Sequence, residues 1–457
     1  MILSLTRGLV WGGVLALLMP GSASAIPVFA RQYRTTCTTC HVIPPKLNSL
    51  GEAFRLNGYR FPRTNRLVRQ EPTVPLGDEA WKDEWPRAIW PGEVSGTPGV
   101  SLRLQSDVEV RRAPTNAYAW SYRFPADVYL LGAATLGDGI GAFVESEWSP
   151  DVGFRVLQAK VTIQDPIPAL PRHLLGVWFG LQGLYPMFFA DRQLDRAARQ
   201  VFSWQTFAVS DVRLDRGSGS ASLRSGNDMR LINAVPSVEV EGVVGGRVGY
   251  GIGLAQGTSP LGTDRNNAKD PYLRVRVKLG GLRLDGEQPA ASGRVHAVAG
   301  QLRDRTVSLE AFAYTGREPG AGGVTDSYRR GVASARLLAG PFDVGVGVAA
   351  GVHDDPWGVG SGARFTSVFA KGELMPLPWL LVSLKGERAR FVQRGPLDQT
   401  SLGGDPGRLV AMPGLVLLGR PNARLAIEGE LHLRRPGLVH AAAPRPHALW
   451  LRTDLSF

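Results

Sequence analysis

Cys37 and Cys40, followed at once by His41, are the residues best spaced for chemistry in this 457-residue chain. In the pattern C-x-x-C-H, two thiols three positions apart can each add to one vinyl group of the same porphyrin. The next residue, a histidine, then sits under the iron as its proximal ligand. The pattern predicts one covalent haem c, bound through Cys37 and Cys40, with His41 as the axial ligand of the iron. No residue is singled out as catalytic. These are the only two cysteines in the chain, and the haem reading uses both. A Cys37–Cys40 disulfide or a thioredoxin-like pair shares the spacing, but the segment lacks the βαβ setting of that motif. A structural zinc site needs four ligands, and no second Cys/His pair lies nearby in sequence.

The elements around this stretch set its context. Residues 1–25 carry Arg7, an apolar run from Gly8 to Met19, a Pro20-Gly21 break and a small-x-small ending, Ala23-Ser24-Ala25. That is the form of a secretory signal peptide, and the apolar run is too short to span a bilayer as a helix. The mature chain is expected to begin at Ile26, outside the cytoplasm, where c-type haem is attached. Residues 26–95 read as a small cytochrome-like head. Leu47, Leu50 and Phe54 recur at helical spacing between turns at Pro44-Pro45 and Asn57-Gly58. The head is too small to bury a core alone. No methionine follows the motif before Met187, so a sixth iron ligand is left open among a wall histidine, Lys46, an asparagine or none.

At this point the residues resemble a family. Ile26-Pro27-Val28-Phe29-Ala30-Arg31-Gln32, then C-x-x-C-H, then Pro45-x-Leu47-Asn48-x-x-Gly51-x-x-Phe54, then Asn57-Gly58-Tyr59 is similar to the head of fused monohaem cytochrome–porins. That family includes outer-membrane cytochromes that oxidise ferrous iron. The resemblance covers about fifty residues. It implies a haem head in front of an outer-membrane barrel, with Cys37, Cys40 and His41 at the haem-binding positions. This chain carries Tyr33-Arg34 where the iron-oxidising branch carries Thr-Gly.

Residues 96–457 alternate with a period of two. Leu273, Val275, Val277 and Leu279 alternate with Tyr272, Arg274, Arg276 and Lys278; around Arg424, Glu428, Glu430 and His432 the pattern repeats. A soluble sandwich also alternates. Here, however, the segments run ten to twelve residues, long polar stretches (257–270, 353–363, 392–406) separate many of them, and Gly280-Gly281 reads as a short turn. The chain ends in an alternating strand on Phe457. The predicted fold is therefore all-β: a transmembrane outer-membrane barrel of about 16 antiparallel strands, with the small α-helical or irregular haem segment plugged in its lumen. Residues 186–226 fit a long loop, a lumenal constriction or one more strand pair.

Within the lumen, glycine runs (Gly249, Gly251, Gly253; Gly345, Gly347, Gly351) leave room for a backbone or a flat ring, or relieve barrel curvature. The net charge is +12, but the basic residues are scattered along strands, which excludes nucleic acid as a partner. Arg274, Arg276 and Arg424 could meet haem propionates or remain solvated pore charge. His432 and His296 fall on the polar face, within reach of an enclosed iron, and His353 stands beside Asp354-Asp355, a combination suited to a divalent metal at the mouth.

The leading expectation is electron transfer across the outer membrane of a bacterial cell by a haem held at mid-depth. The partners are membrane lipid, an extracellular redox donor or acceptor, ferrous iron if the resemblance holds, and a periplasmic cytochrome or other carrier. The competing expectation is a solute-selective porin whose haem head is a plug or sensor.

Overall fold

The computed structural model describes residues 28–44, 46–62, 73–75, 83, 93–95, 99–112, 118–136, 139–150, 153–184, 234–257, 266–287, 304–319, 325–355, 360, 362–394, 408–434 and 447–456. The leader, residues 186–226 and His296 lie outside them. In the head, helix α1 (Val28–Gln32) leads to a 3-10 turn (Cys37–Thr39). The short ladder β1 (His41–Ile43) with β2 (Lys46–Leu47) follows, then helix α2 (Ser49–Leu56). A second ladder, β3 (Thr73–Pro75) with β4 (Glu93–Ser95), precedes the wall.

The wall is a closed barrel of sixteen antiparallel strands. They are β5 (Val100–Arg112), β6 (Tyr118–Leu136), β7 (Ile140–Ser149), β8 (Gly153–Gln164), β9 (Gly176–Gly183), β10 (Ala234–Val244), β11 (Val248–Ala255) and β12 (Asp270–Gly280). The circuit continues through β13 (Arg305–Pro319), β14 (Thr325–Ala339), β15 (Phe342–His353), β16 (Gly362–Leu377), β17 (Leu380–Arg394), β18 (Arg408–Arg420), β19 (Ala423–Arg434) and β20 (Ala448–Ser456). Each strand pairs with its neighbours in sequence, and β20 closes on β5 through registers such as Leu451↔Val108. Closure leaves no edge, which is the condition for a sheet to stand in lipid.

Burial runs opposite to that of a soluble protein. On β12, Leu273 and Leu279 are 44% and 56% exposed, whereas Arg276 and Lys278 are each 1% exposed. On β19, Leu431 and Leu433 face out while Arg424, Glu428, Glu430 and His432 are buried. A wall that turns its leucines outward and its ions inward is stable only where hydrocarbon surrounds it.

The β6–β7 connection and the turns at 245–247, 340–341, 378–379 and 421–422 share one end with the start of β5 and the finish of β20; in such barrels short turns mark the periplasmic end. Gly280-Gly281 is not a short turn. The β12–β13 connection runs from 281 to 304, and its first residues fold against the head: Asp285 O accepts from Asn57 Nδ2 at 2.9 Å, and a Cβ at Gly286 would press on Ala53 and Pro62.

The lumenal glycines admit neighbouring side chains of the wall rather than the head. Gly253 pairs with Tyr272, Gly347 with Phe369 and Gly351 with Phe365, and in each case the aromatic ring lies where a Cβ would stand. Gly251 likewise makes room for Arg274.

Candidate functional site

The head lies inside the barrel and is fastened around much of its circumference. Val28 N donates to Ser101 Oγ of β5 at 2.7 Å, and Arg60 Nη2 to Ile140 O of β7 at 2.7 Å. Glu52 bridges Arg276 of β12 and Arg336 of β14, at 2.9 Å each. Lys46 is fully buried between Asp343 of β15 and Glu373 of β16. Burial pulls the Lys46 pKa down, but the two carboxylates outweigh it, so the ammonium is held above its ordinary value. Ile43 inserts among Leu381, Val416, Leu418 and Ala426 of β17–β19, an apolar lumenal patch. These contacts crowd the short-turn end, so the head plugs the periplasmic half of the lumen and not its middle, as the mid-depth expectation had it.

Within the plug, the chemistry-bearing turn is built by a few local constraints. The stretch from Cys37 to Cys40 closes as a 3-10 turn, Cys40 N donating to Cys37 O at 3.2 Å. Asn48 caps α2, its side chain accepting from Gly51 N at 2.9 Å, while its Nδ2 donates to Thr39 O at 3.0 Å and its backbone N to Cys40 O at 2.9 Å. One residue thus ties the turn to the helix. Gly51 lets them touch, because a Cβ there would run into the Cys40 carbonyl oxygen. Gly51→Ala is expected to cost about 1–3 kcal/mol of overpacking in the head, measured as faster proteolysis of the head in the purified protein. Asn57-Gly58-Tyr59 ends α2, with Gly58 and Tyr59 both at positive φ, 64° and 66°. The Gly58 carbonyl packs on Gly141 of β7, where a Cβ would collide with it. These contacts account physically for Asn48, Gly51, Gly58 and Tyr59 of the family-like pattern.

Cys37, Cys40 and His41 open together onto one cavity between head and wall, about 1250 Å³ including its solvent-facing part. Its lining is mainly apolar. Phe29 and Tyr59 stack at 5.4 Å, Tyr59 stacks in turn on Phe143 of β7 at 5.4 Å, and Phe54 and Phe61 approach to 4.7 Å. Arg55, Arg103, Glu145, Asn422 and Ser456 supply the polar part. The two cysteines are unbridged and half-buried. Burial raises both thiols, Cys40 to about 12. Among the described residues no group of three or more His, Cys, Asp and Glu is placed to hold a metal ion.

Several polar residues singled out in the sequence are committed elsewhere. Arg274 binds Glu239 and Glu241, Arg276 binds Glu52 and Glu310, and Arg424 binds Asp454. The cations that line the cavity are Arg55 and Arg103, which spacing did not distinguish from other lumenal arginines; Arg103 is also bound to Asp454, its Nε donating to Oδ1 at 2.8 Å. His432 lies 2.9 Å from Glu430, and His353 Nδ1 lies 2.6 Å from Asp326, both toward the long-loop end and away from the cavity. His353 therefore pairs across to β14 rather than with Asp354-Asp355. Lys46, locked to the wall, is likewise not available as an iron ligand.

With this geometry in view, the chain is similar in fold to solved outer-membrane channels. The outer-membrane channel DcaP of Acinetobacter baumannii matches 81% of this chain and 100% of its own, at 12% identity and a TM-score of 0.50. An anion-selective porin from Comamonas acidovorans matches 80% and 100%, at 12% identity and a TM-score of 0.48. No protein-family model matches the chain, and neither does any curated protein.

The protein is a porin-like barrel of the bacterial outer membrane. Lipid surrounds its apolar band, and its amino-terminal head occupies the lumen.

Proposed function

We propose that this barrel carries one covalent haem c in its head and moves electrons across the outer membrane. The carrying observation is that Cys37, Cys40 and His41 share one aromatic-lined cavity inside the barrel. Cys37 and Cys40 would hold the porphyrin by thioether bonds, and His41 would bind the iron. The bound group would supply reversible one-electron chemistry. Phe29, Phe54, Tyr59 and Phe61 give that space an apolar lining, and Arg55 brings positive charge to its edge. The cavity's place at the short-turn end suits exchange with a periplasmic cytochrome or another soluble carrier. The long-loop half of the lumen is left to an extracellular donor or acceptor, ferrous iron on the family resemblance. Membership of the fused cytochrome–porins is part of this proposal.

A second reading has its own support. The likeness in fold to an outer-membrane channel favours a solute-selective porin whose haem-bearing head is a plug or sensor. Purified protein in liposomes separates the two. Reduction of a trapped dye by external ferrous iron or dithionite, with small solutes retained, is the result expected of a conduit. Solute release without dye reduction would establish the porin instead.

A further inference from the structure

The outer face of β12–β16 ends upward in a row of cations, whereas on the next strand, β17, Arg388 and Arg390 stand outward lower down, opposite Val368 and Thr366. Leu279, Val307, Leu337, Val344 and Gly372 stand side by side across β12–β16 near the short-turn end. Above them the outward positions carry no charge: Leu309 and Ala313 on β13, Ala333 on β14, Val346 and Val348 on β15, Val368 on β16. Arginine then appears outward on three strands at one level. Arg329 is opposite Val352, Val352 is opposite Arg364, and Arg317 is opposite Ser327, two residues from Arg329. All three arginines are exposed. The climb from Val307 to Arg317, or from Leu337 to Arg329, is roughly 20–25 Å for a strand tilted near 40°, which is the height of the apolar band of such barrels. The guanidinium groups thus stand where hydrocarbon gives way to headgroups.

They also border one outward cavity, about 1500 Å³ including open space, together with Lys269, Asp270 and Asp354. Asp270 is already taken: it accepts from the hydroxyls of Tyr314 and Tyr328 and from Arg317 N. Asp354 is exposed at the rim. The lumenal arginines Arg274, Arg336 and Arg424 are paired with carboxylates. Among the described residues, by contrast, Arg317, Arg329 and Arg364 have no carboxylate partner. Guanidinium groups match phosphate in both charge and shape.

We infer that this face binds a phosphorylated glycolipid of the outer leaflet, its phosphates between Arg317, Arg329 and Arg364 and its acyl chains along the apolar strands below. The test uses full-length protein in mild detergent, titrated with bisphosphorylated lipid A and with its dephosphorylated form, and read by native mass spectrometry. The unaltered protein is expected to prefer the phosphorylated lipid. The triple variant Arg317→Gln, Arg329→Gln, Arg364→Gln, checked for folding by heat-modifiable migration, is expected to bind it about a hundredfold more weakly. Equal binding of the two lipids by the unaltered protein overturns the inference whether or not the variant inserts. So does a variant that keeps its lipid, including one that only loses an oligomeric state, which would make the row a contact between subunits.

Discussion

Serine at both Cys37 and Cys40 is expected to abolish covalent pigment completely while leaving the barrel intact. A serine hydroxyl does not add to a porphyrin vinyl group, so with both thiols gone nothing in this chain can form a thioether; these are its only cysteines. Neither cysteine contributes to the wall, whose sixteen strands begin at Val100 and close between β20 and β5. The folded barrel should therefore still migrate faster unheated than heated on a denaturing gel, while haem-dependent peroxidase staining of the band disappears. Either single variant, with one thioether left, should keep part of the stain. Full staining of the double variant after denaturation would sink the haem assignment. Loss of the heat-modifiable band would show instead that the thiols serve folding.

Glu52→Ala is expected to undock the head. The carboxylate of Glu52 sits between two buried guanidinium groups, Arg276 and Arg336, each 2.9 Å away. Removing one partner of a buried ion pair costs about 3–5 kcal/mol, mostly through the charge left behind. Here Glu310 and Asp343 still serve the two arginines, so the lower figure applies, about 3 kcal/mol, or roughly a hundredfold in the docking equilibrium. The readout is conductance through planar bilayers: low and quiet for the unaltered protein, with large openings for the variant. Acid should act through the same group. Burial alone would raise the Glu52 pKa, but Arg276 and Arg336 prevail and hold it at about 2, below the ordinary 4.5. A depressed folded-state value means that the stabilisation is fully present above about 4.5 and is lost as the pH falls through about 2. Unaltered barrels should thus stay quiet at mildly acidic pH and open only in strong acid. Conductance that rises already near the ordinary carboxylate value would rule out Glu52 as the clasp.

Both experiments turn on features that the chain discloses unequally. Alternation is local, so the strands could be read from it: Tyr272, Arg274, Arg276 and Lys278 could be assigned to one face of β12 before any fold was known. The spacing of Cys37, Cys40 and His41 is local too, because it reflects the reach of one cofactor. The apolar patch that receives Ile43 had a signal as well, since Leu380-Leu381-Val382 and Leu415-Val416-Leu417-Leu418 are greasy on both faces. Such a stretch needs lipid on one side and an apolar plug on the other.

Pairing between distant charges had no comparable signal. The partner of Glu52 is chosen by how the head is rotated within the lumen, and every lumenal arginine looks alike to a period of two. The same holds for Gly253, Gly347 and Gly351, whose vacancies are taken by aromatic rings from the adjacent strand, a matter of cross-strand register. It holds again for Arg317, Arg329 and Arg364, far apart in sequence and level with one another only once the strands are staggered around the barrel. What the sequence by itself determined was which residues face lipid, which face the lumen and where two thiols and an imidazole could act together. Only the tertiary structure decided the depth of the plug, the partners of its buried charges and the cavity onto which Cys37, Cys40 and His41 open. Those depend on strand stagger and head rotation, which are fixed by the sum of many long-range contacts and by no short stretch of chain.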